Sequence, residues 1–283
     1  MPDENRSQNI VIPHMDRFLE NIGILPCKVS FGPDGNIPIF GSHTKTVVEA
    51  YTRWDAAYRQ KWKVKEMDDP AYLRAEVEKQ VKEGALAAAI TSRLPWIRQV
   101  YDIGCGTGIV ALTCALIGEK PVIGIDPDDE VPVIETVKSL GRKLQAERAE
   151  FKVMALDTAL ETEITKDDLV CAISAPDHVE ETMLEQVGQG VDYMIFSYHD
   201  SEKNRCAILE PLAEKGFSVA PIPLLKYGEK YENVPSYFPT YATCIVERPL
   251  CPGRLEKLLP EHLRQLRQTL KDAGIDFDRM DFE

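Results

Sequence analysis

The first clear periodicity along the chain begins near Thr44, where Val47, Tyr51, Trp54 and Tyr58 recur at steps of four, three and four. That spacing puts all four on one face of a helix. A second helix is predicted from Pro70, a residue suited to a first turn, through the Ala-rich stretch 84–90. Upstream, apolar runs at 27–31 and 37–40 flank Gly32-Pro33-Asp34-Gly35, which predicts a small hairpin.

After Gln99 the pattern changes to short apolar runs at 100–103, 121–126, 151–156, 168–174, 192–197, 216–220 and 241–246. Helical stretches at 109–117, 131–145, 178–186 and 204–213 lie between them. Such alternation is how βαβ units read in sequence, so the fold class is α/β with a doubly wound, mostly parallel sheet. A Tyr- and Pro-rich loop, 221–240, separates the last two strands, and leucines from Leu255 to Leu270 predict a closing helix. The organisation expected is a mainly helical cap over residues 1–95, a ligand-binding α/β domain over 96–250 and a C-terminal helix over 251–283.

Composition narrows the partners. The 283 residues carry 33 Lys and Arg against 46 Asp and Glu, a formal net charge of −13 that repels polyanions, so nucleic acid is not an expected partner. No apolar window reaches membrane-spanning length and the N-terminus has no signal-peptide core, so no membrane association and a cytoplasmic location are expected. Seven cysteines without a C-x-x-C pair read as reduced thiols rather than a disulfide framework or zinc site.

The chemistry concentrates where the strand at 100–103 ends in Gly104-Cys105-Gly106-Thr107-Gly108 and runs into a helix. Glycines there let the backbone approach a ligand closely. The spacing is G-x-G-x-G rather than the G-x-G-x-x-G of dinucleotide enzymes, and Asp102 just before it would repel a pyrophosphate. It suits a ligand with an amine and a sulfonium. Asp126-Pro127 ends the second strand, Asp157-Thr158 follows the third, and Ser174 stands at the end of the fourth.

Together these residues resemble the landmarks of class I SAM-dependent methyltransferases, over about Val100 to Glu247. The resemblance implies a seven-stranded Rossmann-like sheet and S-adenosyl-L-methionine (SAM) as cofactor. It places Tyr101, Asp102, Gly104, Cys105 and Gly106 at the cofactor's amino-acid end, Asp126 and Pro127 at its ribose, Asp157 and Thr158 at its adenine, and Ser174 at the fourth landmark. Asp157 has a second reading, as a surface helix cap. An NAD(P)-dependent oxidoreductase would share the sheet but wants a small residue where Ile109 stands. A methyltransferase-like binding subunit without turnover, and a protein or RNA acceptor, are further alternatives.

On the acceptor side, His199 is the candidate base, preceded by Tyr198 and followed by Asp200 as in a similar His-Asp step of plant-type small-molecule O-methyltransferases. Its other reading is a histidine at a helix start. His178, Tyr198 and Tyr237 are candidate substrate contacts. Tyr51, Trp54 and Tyr58 form either a lid over the acceptor or ordinary core packing. The expected reaction is metal-independent O- or N-methylation of a small molecule.

Overall fold

In the computed structural model the two predicted N-terminal helices span Thr44–Trp62 (α2) and Pro70–Arg93 (α3), and both begin where the sequence pattern places them. The structure describes residues 19–20, 23–62, 70–127, 133–173, 191–199, 218–223 and 241–247, with the last two segments and residues 198–199 described by their backbone. The helices expected at 178–186, 204–213 and beyond Gly253 lie outside the described residues, as does the expected 221–240 loop from 224 onward; residues 221–223 belong instead to the sixth strand, expected at 216–220.

The expected hairpin is a correction. Its turn exists, closed by Gly32 N–H to the Asn36 carbonyl at 2.8 Å and Ile39 N–H to the Lys28 carbonyl at 3.3 Å. The flanks are not strands, and Pro26–Val29 forms a helical turn (α1) instead. Pro26 favours a first helical turn, and Pro38, without an N–H, cannot donate to a ladder.

The sheet is built from β1 (Val100–Ile103), β2 (Val122–Asp126), β3 (Ala149–Val153), β4 (Leu169–Ala172), β5 (Tyr193–His199), β6 (Ser218–Pro223) and β7 (Tyr241–Glu247). Its order is β3-β2-β1-β4-β5-β7-β6. The first five pair in parallel, and β7 lies antiparallel between β5 and β6. The chain direction across the sheet reverses between β1 and β4, which opens a crevice beyond the strand C-termini, the usual ligand position in such sheets.

Helices α4 (Ile109–Ile117) and α5 (Ile134–Leu144) follow β1 and β2. A seven-residue helix, α6 (Leu156–Thr162), follows β3. The sequence reading missed α6 because it is too short for helical periodicity to stand out. β5 runs two residues beyond its expected end because β7 pairs with it as far as His199 opposite Tyr241.

Alternation along each strand splits the interior into two layers. Val100, Cys171, Tyr193 and Ile195 join α2, α3, α4 and α5 in one core, while Tyr101, Ile103, Ile123, Ile125, Val170, Met194 and Phe196 form the other with Ala159. In the first layer α3 crosses α4 closely at Gly84: a Cβ there would lie 2.5 Å from the Val110 carbonyl oxygen and 2.7 Å from Thr113 Cβ.

Candidate functional site

The glycine turn is shaped by its sequence. Gly106 and Gly108 have φ of +47° and +70°, a region that side chains with a Cβ rarely adopt. A Cβ on Gly108 would also collide with Val137 and Phe151. The turn is tied down by three bonds: Gly108 N–H to the Cys105 carbonyl at 2.7 Å, Cys105 N–H to the Ile125 carbonyl at 3.0 Å, and Gly106 N–H to Asp126 Oδ2 at 3.0 Å. Met154 N–H donates to the Asp126 carbonyl at 3.0 Å, so the ends of β1, β2 and β3 are linked into one rim.

Asp102 is 2% exposed and its Oδ2 accepts the Ala111 N–H at 3.1 Å, in the first turn of α4. Burial pushes its carboxyl up to about 8 against the lowering effect of that bond, and the negative charges of Asp126 and Glu83 add to the rise. The same environment pushes the buried Cys114 thiol up to about 12 and raises Cys171 well above the ordinary thiol range. Asp102 therefore lies under the turn, largely neutral at neutral pH in the free protein, rather than beside it as a permanent anion.

The structure brings Asp102, Gly104, Cys105, Gly106 and Asp126 together at this rim, with Pro127 exposed just past it. Cys105 turns inward, its Sγ 3.1 Å from where a Gly124 Cβ would lie. Asp157 and Thr158 are exposed in the first turn of α6, where Asp157 Oδ1 accepts the Thr158 N–H at 2.7 Å. Asp157 is not the N-cap, which is Ala155 without a side-chain bond. Tyr101 is not at the rim: its ring is buried in the opposite layer, where its hydroxyl accepts from Gln99 Nε2 at 2.8 Å and donates to Glu163 at 3.4 Å. Odd and even positions of a strand face opposite ways, so Tyr101 and Asp102 cannot share a face.

Tyr198 and His199 end β5, two strands from β1 across β4, about 10 Å in sheet spacing. Ser174, His178 and Tyr237 lie outside the described residues. The aromatic stripe on α2 divides between its two readings. Tyr51 is 3% exposed, a core residue. Trp54 is half-buried and rests on the glycine turn: its Cε2 and Cζ2 lie 3.4 Å from the point a Gly106 Cβ would occupy. Tyr58 stacks on Trp54 with ring centroids 5.4 Å apart.

Helix α2 is fastened to α3 beside this stripe by Arg59, which bonds Asp55 at 2.7 Å and the Tyr72 hydroxyl at 3.1 Å. Glu83, fully buried on α3, was missed by the sequence reading. It closes the charged half of that helix, just before Gly84 and the Ala-rich run, and nothing in the sequence sets it apart from the charges around it. Among the described residues no group of His, Cys, Asp and Glu could hold a metal ion, and no helix is long and apolar enough to cross a membrane.

The family model of ribosomal protein L11 methyltransferase matches residues 87–193, from α3 to the start of β5. An uncharacterized protein of Methanocaldococcus jannaschii is 26% identical over 200 residues, covering 65% of this chain and 87% of its own. Among solved structures, magnesium protoporphyrin IX methyltransferase from Synechocystis PCC 6803, with bound SAH, aligns over 72% of this chain and 98% of its own at 14% identity and a TM-score of 0.47. Precorrin-6y C5,15-methyltransferase from Geobacter metallireducens GS-15 aligns over 56% and 87% at 12% identity and a TM-score of 0.41. The sheet, its glycine turn and the family match define a SAM-dependent methyltransferase of class I. The matched stretch holds the turn and the ends of the first four strands, and it stops short of His199.

Proposed function

We propose that this protein transfers a methyl group from SAM to a small-molecule acceptor enclosed between the sheet rim and helix α2. When bound, SAM supplies a methyl group on a sulfonium, already activated for displacement. The chain's own work is then positioning. Gly106 and Gly108 hold the turn in a left-handed conformation that residues with a Cβ rarely adopt, which suits close approach of backbone to a ligand. Asp126, whose Oδ2 accepts the Gly106 N–H at the end of β2, is the proposed holder of the ribose hydroxyls, a task that suits the two acceptor oxygens of a carboxylate. Asp157, exposed at the rim, suits the adenine amino group, with Thr158 beside it.

The contact of Trp54 with Gly106 carries the acceptor reading. A helix lowered onto the cofactor turn excludes water from a small acceptor and obstructs a large one, and the net charge of −13 works against RNA. The family match covers the cofactor half alone, so the protein acceptor of that family does not carry over with it. At the C-terminal end of β5, His199 is the proposed base for an O- or N-acceptor that arrives protonated. Tyr198, His178 and Tyr237 are proposed acceptor contacts. Free thiols at Cys27, Cys105, Cys114 and Cys171 accord with work in the cytoplasm.

The test supplies methyl-labelled SAM and a cell extract divided into small-molecule, protein and RNA fractions. Label is expected in the small-molecule fraction, with turnover reduced about a hundredfold or more in His199→Ala. Label confined to protein or RNA would overturn the acceptor reading, and unchanged turnover in the variant would remove His199 as the base.

A further inference from the structure

Trp54 sets the C-terminal half of α2 on the glycine turn, yet that half carries little of the core. Upstream, Val47 and Tyr51 are core residues. From residue 54 to residue 61 the one buried residue is Asp55, 6% exposed, and a carboxylate at that depth is costly unless it is paired. Arg59, one helical turn on, pairs with it at 2.7 Å. The same guanidinium donates to the Tyr72 hydroxyl of α3 at 3.1 Å, and its carbon lies 5.5 Å from the Tyr72 ring centroid. Directional bonds among charged and polar groups therefore fasten this end of α2 to α3.

The helix converts that fastening into the place of one ring. Trp54 and Tyr58 are four residues apart, as are Asp55 and Arg59, so the two pairs occupy adjoining faces of the same turns. The indole lies with Cε2 and Cζ2 3.4 Å from the position of a Gly106 Cβ, and Tyr58 stacks on it at 5.4 Å. At roughly 6 Å from the helix axis, a roll of about 20° carries a side chain about 2 Å. A wall that grips a ligand does not tolerate misplacement of that size.

We propose that Trp54 forms one wall of the cofactor's amino-acid pocket, and that the Asp55–Arg59–Tyr72 bonds are the latch that holds it in place. Arg59 is then a positioning residue. It touches neither cofactor nor acceptor and acts through the indole: with its bonds broken, the end of α2 is free to roll and the grip on the cofactor loosens. This rests on the reading of the turn as the SAM site and deepens it by naming what sets that site's outer wall.

The experiment is calorimetric titration of S-adenosylhomocysteine into the full-length protein and a double-variant cycle. Trp54→Ala is expected to weaken binding about tenfold or more, and Arg59→Met about tenfold. In the Trp54→Ala background, Arg59→Met is expected to add less than about twofold, because the latch then has no ring to place. Tyr72→Phe removes a single hydroxyl and is expected to weaken binding several-fold. Arg59→Lys keeps the charge without the planar fork, so it should fall between wild type and Arg59→Met. The ligand is also expected to change the tryptophan fluorescence of the wild-type protein. That change should be lost in Trp54→Phe and kept when either of the other two tryptophans is replaced.

If Arg59→Met costs the same affinity in both backgrounds, Arg59 is merely structural, and the inference fails while the cofactor reading stands. The same follows if Trp54→Ala binds S-adenosylhomocysteine as tightly as wild type. If the wild-type protein does not bind it at all, the cofactor reading falls and takes the inference with it. Should Arg59→Met fail to fold, Tyr72→Phe completes the same cycle with Trp54→Ala.

Discussion

A carboxyl group buried beside two other acids weakens the fold whenever it ionises, and Asp102 is placed in that way. Its ordinary value is 3.8 and its folded value about 8. Between them the folded state keeps a proton that the unfolded state has released, so stability is full below about pH 4 and falls as pH rises toward 8. The slope is roughly 1.4 kcal/mol per pH unit at most. Asp102→Asn keeps an acceptor for the Ala111 N–H and cannot ionise. It is expected to be more stable than wild type by a few kcal/mol at pH 8, with the gap closing toward pH 4, and to bind S-adenosylhomocysteine at least tenfold more weakly. Urea melts at pH 5 and pH 8 check this, and a gap equal at both would mean that ionisation is not the cause. The sequence marks Asp102 as a site residue because it precedes the glycines. It cannot show the protonation state, which depends first on burial under the turn and only then on the charges of Asp126 and Glu83, brought in from other elements of the fold.

At the scale of elements, apolar periodicity located α2, α3, α4 and the five parallel strands to within a few residues, since each buries a face whose spacing the chain records. Which faces meet is not recorded. Nothing in the step from Trp54 to Tyr58 says that the indole rests on Gly106, and nothing in an Ala-rich run says that Gly84 is where two helices nearly touch. The second contact can be tested against helix propensity. Alanine for glycine inside a helix ordinarily stabilises by up to about 1 kcal/mol, whereas overpacking costs about 1–3 kcal/mol. Gly84→Ala puts a Cβ against backbone, the Val110 carbonyl, which cannot swing away, so the second effect wins. A fall in Tm of several degrees is expected. Gly141→Ala on α5 is the control, because its nearest neighbour, Leu112 Cδ2, is at an ordinary 3.4 Å, and its Tm should hold or rise. A rise in both would show that α3 and α4 are further apart than this crossing.

For the molecule as a whole, the decisive fact is that the N-terminal helices and the sheet share one core. Val47 and Tyr51 of α2, Val77, Leu86 and Ile90 of α3, Leu112 of α4, Val137 of α5 and Tyr193 of β5 belong to the same buried cluster. A cap that merely rested on a finished α/β domain would have a core of its own. Cutting this cluster between α3 and α4 would expose apolar surface on both sides, so neither part is expected to unfold first. A single calorimetric transition follows, and a ligand at the glycine turn must move all of it. At a hundredfold excess over its Kd, S-adenosylhomocysteine adds about 2.7 kcal/mol, which for a chain of this size corresponds to a shift of roughly 4–5 °C. Two transitions, with the ligand moving the later one alone, would instead separate the cap from the cofactor domain. The Trp54 contact would then be a docking of two independent bodies rather than part of one folded unit.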